Sequence, residues 1–299
     1  MNAAPTRRAF LGTAALAAVA AAPREAVMVI DTHVHCFAGP ADDRFPYHPA
    51  GPYRPPTAAT PQELLRCMDA AGVTAAVIVH PEPYQDDHRY LEYCLQQAPT
   101  RLKGTALFFA DRPDTPARLR ELAKRCPLAA VRVHAYAPER LPPFGTPALR
   151  ALWQLAGELG LAVQVHFEPR YAPGLEPYVE EFKSVRVLID HLGRPFQGTP
   201  DEYARVVRWA RFPNTVMKLS SVPVRENYPH RDPAPVVRQL TEAFGPDRLM
   251  WGGGWHAGTT PAAYRAERDR VRALLAHLSA ADQEKVFGGT AARVLGFAG

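Results

Sequence analysis

The sequence predicts an α/β fold, a (β/α)8 TIM barrel, on three observations. Short apolar, β-rich runs recur eight times, amphipathic helical stretches separate them, and histidines gather where the runs end. Such alternation argues for parallel strands joined by crossover helices, and eight repeats are the number that closes a barrel. An open doubly wound sheet is the competing arrangement. No glycine-rich phosphate loop follows the first run, which counts against its nucleotide-binding form.

The expected strands are 27–35, 73–80, 102–109, 129–135, 162–167, 185–191, 215–221 and 248–255. Thr60-Pro-Gln-Glu63 reads as a capping box with proline at the first helical position, and Gly72 closes that helix. Thr146-Pro147 opens a helix that ends near Gly160, and Thr199-Pro200-Asp-Glu202 opens another. Helical periodicity runs through 114–124, 234–244 and 261–278, and two short helices are expected over 280–286 and 290–295. Segment 38–56 is rich in proline, glycine and aromatics (Phe45, Tyr47, Tyr53). As the first βα loop it is expected to cover the C-terminal mouth, where barrel active sites lie.

Composition narrows the function. At 299 residues with 47% apolar content, the chain can bury the core of one large domain. The net charge of +5 is mild and no run of Lys or Arg forms a stripe, so nucleic acid is excluded as a partner. Cys36, Cys67, Cys94 and Cys126 lack Cys-x-x-Cys spacing, which leaves neither a disulfide framework nor a zinc knuckle. Near the N-terminus, Thr6-Arg-Arg-Ala-Phe-Leu-Gly12 precedes a small apolar run and an Ala-x-Ala ending. This reads as a twin-arginine-type export signal over 1–24, leaving a single barrel domain over 25–299 in the periplasm or medium. The apolar run is shorter than a spanning helix needs, so no stable membrane insertion is expected.

The strand ends carry the chemistry. Asp31-Thr-His33-Val-His35 closes the first strand, and alternation points both imidazoles the same way, a pair able to hold a divalent metal or an anion. Strand two ends His80-Pro-Glu82, strand four carries Arg132-Val-His134, and strand five ends His166-Phe-Glu168. Strand six ends Asp190-His191-Leu-Gly-Arg194-Pro, strand seven carries Lys218, and strand eight runs Trp251-Gly-Gly-Gly-Trp255-His256. Of 11 histidines, those seven (33, 35, 80, 134, 166, 191, 256) fall on or just past strand ends, which argues for a site.

With these motifs the chain resembles the amidohydrolase-related branch of the amidohydrolase superfamily. The matching stretches are Asp31-Thr-His-Val-His35, Ile189-Asp-His-Leu-Gly-Arg-Pro195, Val216-Met-Lys-Leu-Ser220, Arg248-Leu-Met-Trp-Gly252 and Phe287-Gly-Gly-Thr-Ala-Ala-Arg-Val-Leu-Gly296. The Asp-His-Leu-Gly-Arg-Pro element is most similar to the subgroup of 2-pyrone-4,6-dicarboxylate lactonases. The resemblance implies an amidohydrolase-like barrel that hydrolyses lactones, esters or amides, with one metal ion or none. It implies His33, His35 and His166 as metal ligands, zinc being the expected ion, with His191 polarising the substrate carbonyl. A metal-free site that anchors its substrate on arginine is the other expectation.

One departure stands out. The family reads Trp-Gly-Ser-Asp-Trp-Pro-His at strand eight, and Gly254 occupies the position of that aspartate, the usual metal ligand and general base. A replacement base is therefore expected among Glu168, Asp190 and His256. Arg132, His134, Arg170, Lys218 and Trp255 are the expected contacts of a small, carboxylated substrate. A decarboxylase of small aromatic acids, or a catalytically impaired binding barrel, are the alternatives. Barrels of this kind often dimerise, so a homodimer is one expected assembly.

Overall fold

Parallel strands that end at one common face are what a barrel requires, and each strand after β1 follows a helical segment. The computed structural model describes Met1 and residues 28–224 and 231–298. Apart from Met1, the predicted export signal over 1–24 lies outside the described residues. Eight parallel strands run in sequential order: β1 Ile30–Val34, β2 Ala75–Val79, β3 Leu102–Leu107, β4 Leu128–Ala135, β5 Ala162–Phe167, β6 Val187–Ile189, β7 Thr215–Leu219 and β8 Leu249–Trp251. Return of β8 to β1 is marked by Thr32 Oγ1, which donates to the Trp251 carbonyl at 2.7 Å.

The helices wrapping this sheet are α1 Pro61–Ala71, α2 Arg89–Gln96, α3 Thr115–Arg125, α4 Pro147–Glu158, α5 Ala172–Glu181, α6 Pro200–Arg208, α7 Pro233–Phe244 and α8 Pro261–Leu274. Thr60 and Thr199 form the expected capping boxes, and Gly72 ends α1 in the left-handed conformation. Such caps satisfy amides that a helix start leaves unpaired. The sequence reading contained neither α2 nor α5. Pro173, Gly174 and Pro177 lie in α5, which holds because Leu175, Tyr178 and Val179 are buried against the barrel. Here tertiary burial overrides propensity.

Two apolar clusters divide the interior. The larger lies between strands and helices around Trp153, Trp209 and Trp251. The smaller fills the lower barrel with Ile30, Val77, Leu188, Val216 and Met250. Beneath it the short helices α9 Ala280–Glu284 and α10 Thr290–Leu295, joined by a π-helical turn, close the bottom with Leu295 and Phe297. A fully buried aliphatic side chain contributes roughly 1.5–3 kcal/mol, so the chain invests its stability below and around the mouth. No helix among the described residues is long and apolar enough to cross a membrane.

Candidate functional site

The mouth is polar because period-two alternation turns certain strand residues inward. On β4 and β5 the register pairs Arg132 with Gln164 and His134 with His166, giving two stacked polar rows. In β1 the register shifts between Asp31 and Val34, a bulge-like irregularity. Ile30 lines the lower interior while Val34 packs in the outer cluster, so the shift swaps faces and leaves His33 and His35 neighbours, ring centroids 5.0 Å apart.

After β6 the chain makes a left-handed turn. His191, Leu192, Gly193 and Arg194 have φ of 55°, 56°, 68° and 57°. Left-handed backbone costs a non-glycine residue roughly 1–2 kcal/mol, and such strain gathers where side-chain aim matters. A Cβ on Gly193 would lie 2.6 Å from Val206 Cγ1, so this position admits only glycine. The turn brings His191 to Ser220 Oγ, 3.0 Å from Nδ1, and Arg194 Nη2 to His166 Nε2 at 2.5 Å.

The result is an arc of five imidazoles. From His134 to His166, His191, His33 and His35, successive ring centroids lie 5.1, 5.0, 4.6 and 5.0 Å apart. Burial holds every one below the ordinary histidine range, His35 at about 4 and His191 at about 3. The arc is therefore neutral at physiological pH, each ring offering one donor and one acceptor nitrogen.

Asp190 lies beneath the arc. Its carboxylate accepts from Arg132 Nη2 at 2.8 Å, from Arg132 Nε at 3.1 Å and from Gln164 Nε2 at 2.9 Å. Lys218 Nζ is 3.3 Å from its Oδ1 and 3.1 Å from His33 Nδ1. Burial alone would raise Asp190, but Lys218 and Arg132 outweigh it and hold the group well below the usual carboxylate range. Lys218 itself is drawn down to about 8 by burial, which Asp190 opposes.

A second carboxylate stands across the mouth. Glu82, just past β2, lies 3.1 Å from His134 Nδ1 and accepts from the Tyr136 hydroxyl at 2.6 Å, with Arg140 Nη1 at 3.3 Å. Burial would raise it, yet His134, Tyr136 and Arg140 together keep it at about 2. Glu82, His134 and Arg140 line a cavity of about 380 Å³ walled by Leu107, Phe109 and Leu141. The loop expected over the mouth lies on this flank: Ala50 and Pro52 line the same cavity, and His48 N donates to the Pro83 carbonyl.

The other expected residues take no part in the Asp190 and Glu82 networks. His256 is exposed, its Nδ1 3.0 Å from the Ala257 carbonyl. Glu168 pairs with the half-exposed Arg170 at 2.8 Å on the loop after β5. Trp255 is buried in the outer apolar cluster. Gly253 and Gly254 donate their amides to Asp31 at 2.7 and 3.1 Å, and Tyr264 adds its hydroxyl to the same carboxylate at 2.9 Å. A Cβ on Gly254 would lie 2.8 Å from both the Trp251 and Tyr264 rings. The end of β8 thus has room for no side chain at that position.

Glu82, Arg194 and Ser220 stand in the strand-end motifs without an assigned role, and Tyr136 and Gln164 were not singled out from sequence. Gln164 was legible in principle, two residues before His166 on one strand face. The roles of Glu82 and Ser220 carry no local signal, because their partners come from distant strands.

Among the described residues, His33, Asp190 and His191 have donor atoms within 4.8 Å of one another, a group that by type and spacing could hold a metal ion. The surrounding charges oppose it. Lys218 Nζ already lies against two of the three donors, and Arg132 occupies the far oxygen of Asp190. A divalent ion fits this trio only with Lys218 displaced, so the arrangement suits an ammonium rather than a dication.

Comparison with known proteins agrees with this architecture. The amidohydrolase family model matches residues 30–297. The 4-sulfomuconolactone hydrolase of Rhizobium radiobacter is 28% identical over 235 residues, spanning 76% of this chain and 76% of that protein. The L-fucono-1,5-lactonase of Burkholderia ambifaria is 29% identical over 211 residues, 65% of this chain and 69% of that protein. Among solved structures, a probable 2-pyrone-4,6-dicarboxylic acid hydrolase from Acinetobacter baumannii with citric acid bound superposes with a TM-score of 0.75. It is 22% identical and covers 90% of this chain and 99% of its own, a likeness of fold. With the family matched along nearly the whole barrel, the chain belongs to the amidohydrolase family.

Proposed function

We propose that this protein is a hydrolase of small lactones bearing a carboxylate or similar anionic group. The observation that carries the reading is the arc of five neutral imidazoles, with buried nitrogens on His33, His134 and His166 that find no hydrogen-bond partner. Buried polar atoms are normally paired by protein, water or a bound group, so these nitrogens are open to a ligand. Likeness to two lactone-opening enzymes supports the choice of substrate class.

Water attacks the lactone carbonyl carbon, a tetrahedral oxyanion forms, and the ring C–O bond breaks to give a hydroxy acid. Donors at the mouth stabilise the oxyanion. Arg194 donates to His166 Nε2, since arginine has no acceptor, so His166 carries its proton on Nδ1 and can donate from there. Arg194 Nε is a second buried donor without a partner. These groups replace Arg132, Lys218 and Arg170 as anion contacts, because those three are already engaged by carboxylates. Every step is carried by side chains; Lys218 opposes an ion at the candidate trio, but of the expected ligands His33, His35 and His166 it hydrogen-bonds only His33. Residues 1–24 are taken as an export signal that places the barrel outside the cytoplasm.

The test is a pH-stat assay over a panel of five- and six-membered lactones with and without a carboxylate. Turnover confined to the anionic members is expected, and absence of turnover for every lactone would overturn the proposal.

A further inference from the structure

We infer that His134, oriented by Glu82, is the proton acceptor that stands in for the strand-eight carboxylate this chain lacks. The inference rests on the lactonase reading and names the catalytic residue within it.

What each imidazole already holds decides which can accept a proton. A carboxylate can only accept, so the 3.1 Å contact with Glu82 Oε1 places the His134 proton on Nδ1. Nε2 is then a bare lone pair, buried and unpartnered, on a side chain 8% exposed. Both residues line the 380 Å³ cavity. His35 also has its Nδ1 engaged, 2.7 Å from the Val79 carbonyl, but a neutral carbonyl stabilises an imidazolium far less than a carboxylate does. His33 Nδ1 faces the Lys218 ammonium, and His191 Nδ1 faces a hydroxyl.

Asp190 is unsuited because Arg132, Gln164 and Lys218 already occupy both of its oxygens. His256 is exposed on the loop beyond β8, and Glu168 is held by Arg170 outside the arc. Glu82 is itself fixed by Tyr136 and Arg140, so the carboxylate that orients the ring is oriented in turn. Carboxylate, imidazole and open cavity reproduce the orienter, base and reacting-atom order of hydrolytic sites.

The step balances within these groups. Nε2 takes one proton from water as the water oxygen bonds to the lactone carbonyl carbon. Collapse of the oxyanion breaks the ring C–O bond, and the proton on Nε2 passes to the departing oxygen. His134 returns neutral, and one water has been added. Glu82 acts as a positioning residue, fixing the tautomer and stabilising the transient imidazolium.

Two measurements test this. Long-range ¹H–¹⁵N spectra of the full chain read the His134 tautomer without substrate, and a proton on Nδ1 with Nε2 bare is expected. A proton on Nε2 overturns the inference. In the lactone assay, His134→Gln is expected to lower kcat by roughly 10²–10⁴-fold with KM within threefold, and Glu82→Gln to lower kcat while disturbing the His134 nitrogen signature. A His134→Gln enzyme within threefold of wild-type kcat overturns it as well. Wild-type chain that opens no lactone condemns the lactonase reading instead, and the dyad then stands or falls on the nitrogen spectrum.

Discussion

The mouth holds two carboxylates that touch an imidazole, Asp190 fully buried and Glu82 partly exposed, and they are built for different ends. Asp190 has both oxygens filled by arginine, lysine and glutamine, and its imidazole, His33, also faces the lysine. Glu82 is held by a tyrosine and an arginine at the cavity wall, and its imidazole, His134, keeps a nitrogen to spare. The first arrangement locks four strands together, and the second leaves reactive capacity. Proximity of an acid to a histidine therefore does not mark a catalytic pair; the unspent valence does.

The largest expected effect on stability falls on the locked pair. Asp190→Asn leaves Lys218 and Arg132 buried without a full counter-charge, and removal of one partner from a buried ion pair costs roughly 3–5 kcal/mol. Urea unfolding should show that loss, whereas Glu82→Gln, at a half-open site, should cost less. Equal losses would erase the distinction between the two carboxylates.

Restoring the family aspartate sharpens the contrast from the other side of the mouth. Gly254→Asp must force a Cβ into contact with Trp251 and Tyr264. Overpacking of this kind costs roughly 1–3 kcal/mol, so a lower Tm and no gain in turnover are expected. A gain of tenfold or more would mean that strand eight, not the Glu82 flank, is where the base belongs.

Acid should destabilise the fold through its buried imidazoles before it silences either carboxylate. His35 and His80 lie at about 4 and His191 at about 3 when folded, against about 6.5 in an unfolded chain. Between those values the unfolded chain binds more protons, so stability falls as pH drops from about 6.5 towards 4. Thermal unfolding across that window checks the sign. A flat Tm would mean that the imidazoles are not buried neutral. The smallest effect is expected for His256→Ala, within threefold of wild-type turnover and about 0.5 kcal/mol of its stability, as for an exposed loop residue.

The barrel was readable because the strands lie in mainly apolar, β-rich runs and four helices, α1, α4, α6 and α8, open on a threonine–proline cap. Helices α2 and α5 were not, since one lacks a side-chain cap and the other carries two prolines and a glycine that burial overrules. Alternation identified His33, His35, Arg132 and His134 as members of inward-facing pairs. It could not show that Asp190 is consumed, because Arg132, Gln164 and Lys218 come from three other strands and meet only when the barrel closes. Nor could it show that the glycines after β8 turn their amides to Asp31, leaving His256 outside. Local spacing tells which face a residue shares; the closed sheet decides what it meets there.

The most direct test is turnover of one small carboxylated lactone by wild type, His134→Gln and His256→Ala side by side. A proton acceptor at His134 predicts loss of roughly two to four orders of magnitude in kcat for His134→Gln and near-wild-type rates for His256→Ala. The reverse pattern, with His256→Ala inactive and His134→Gln active, would contradict it.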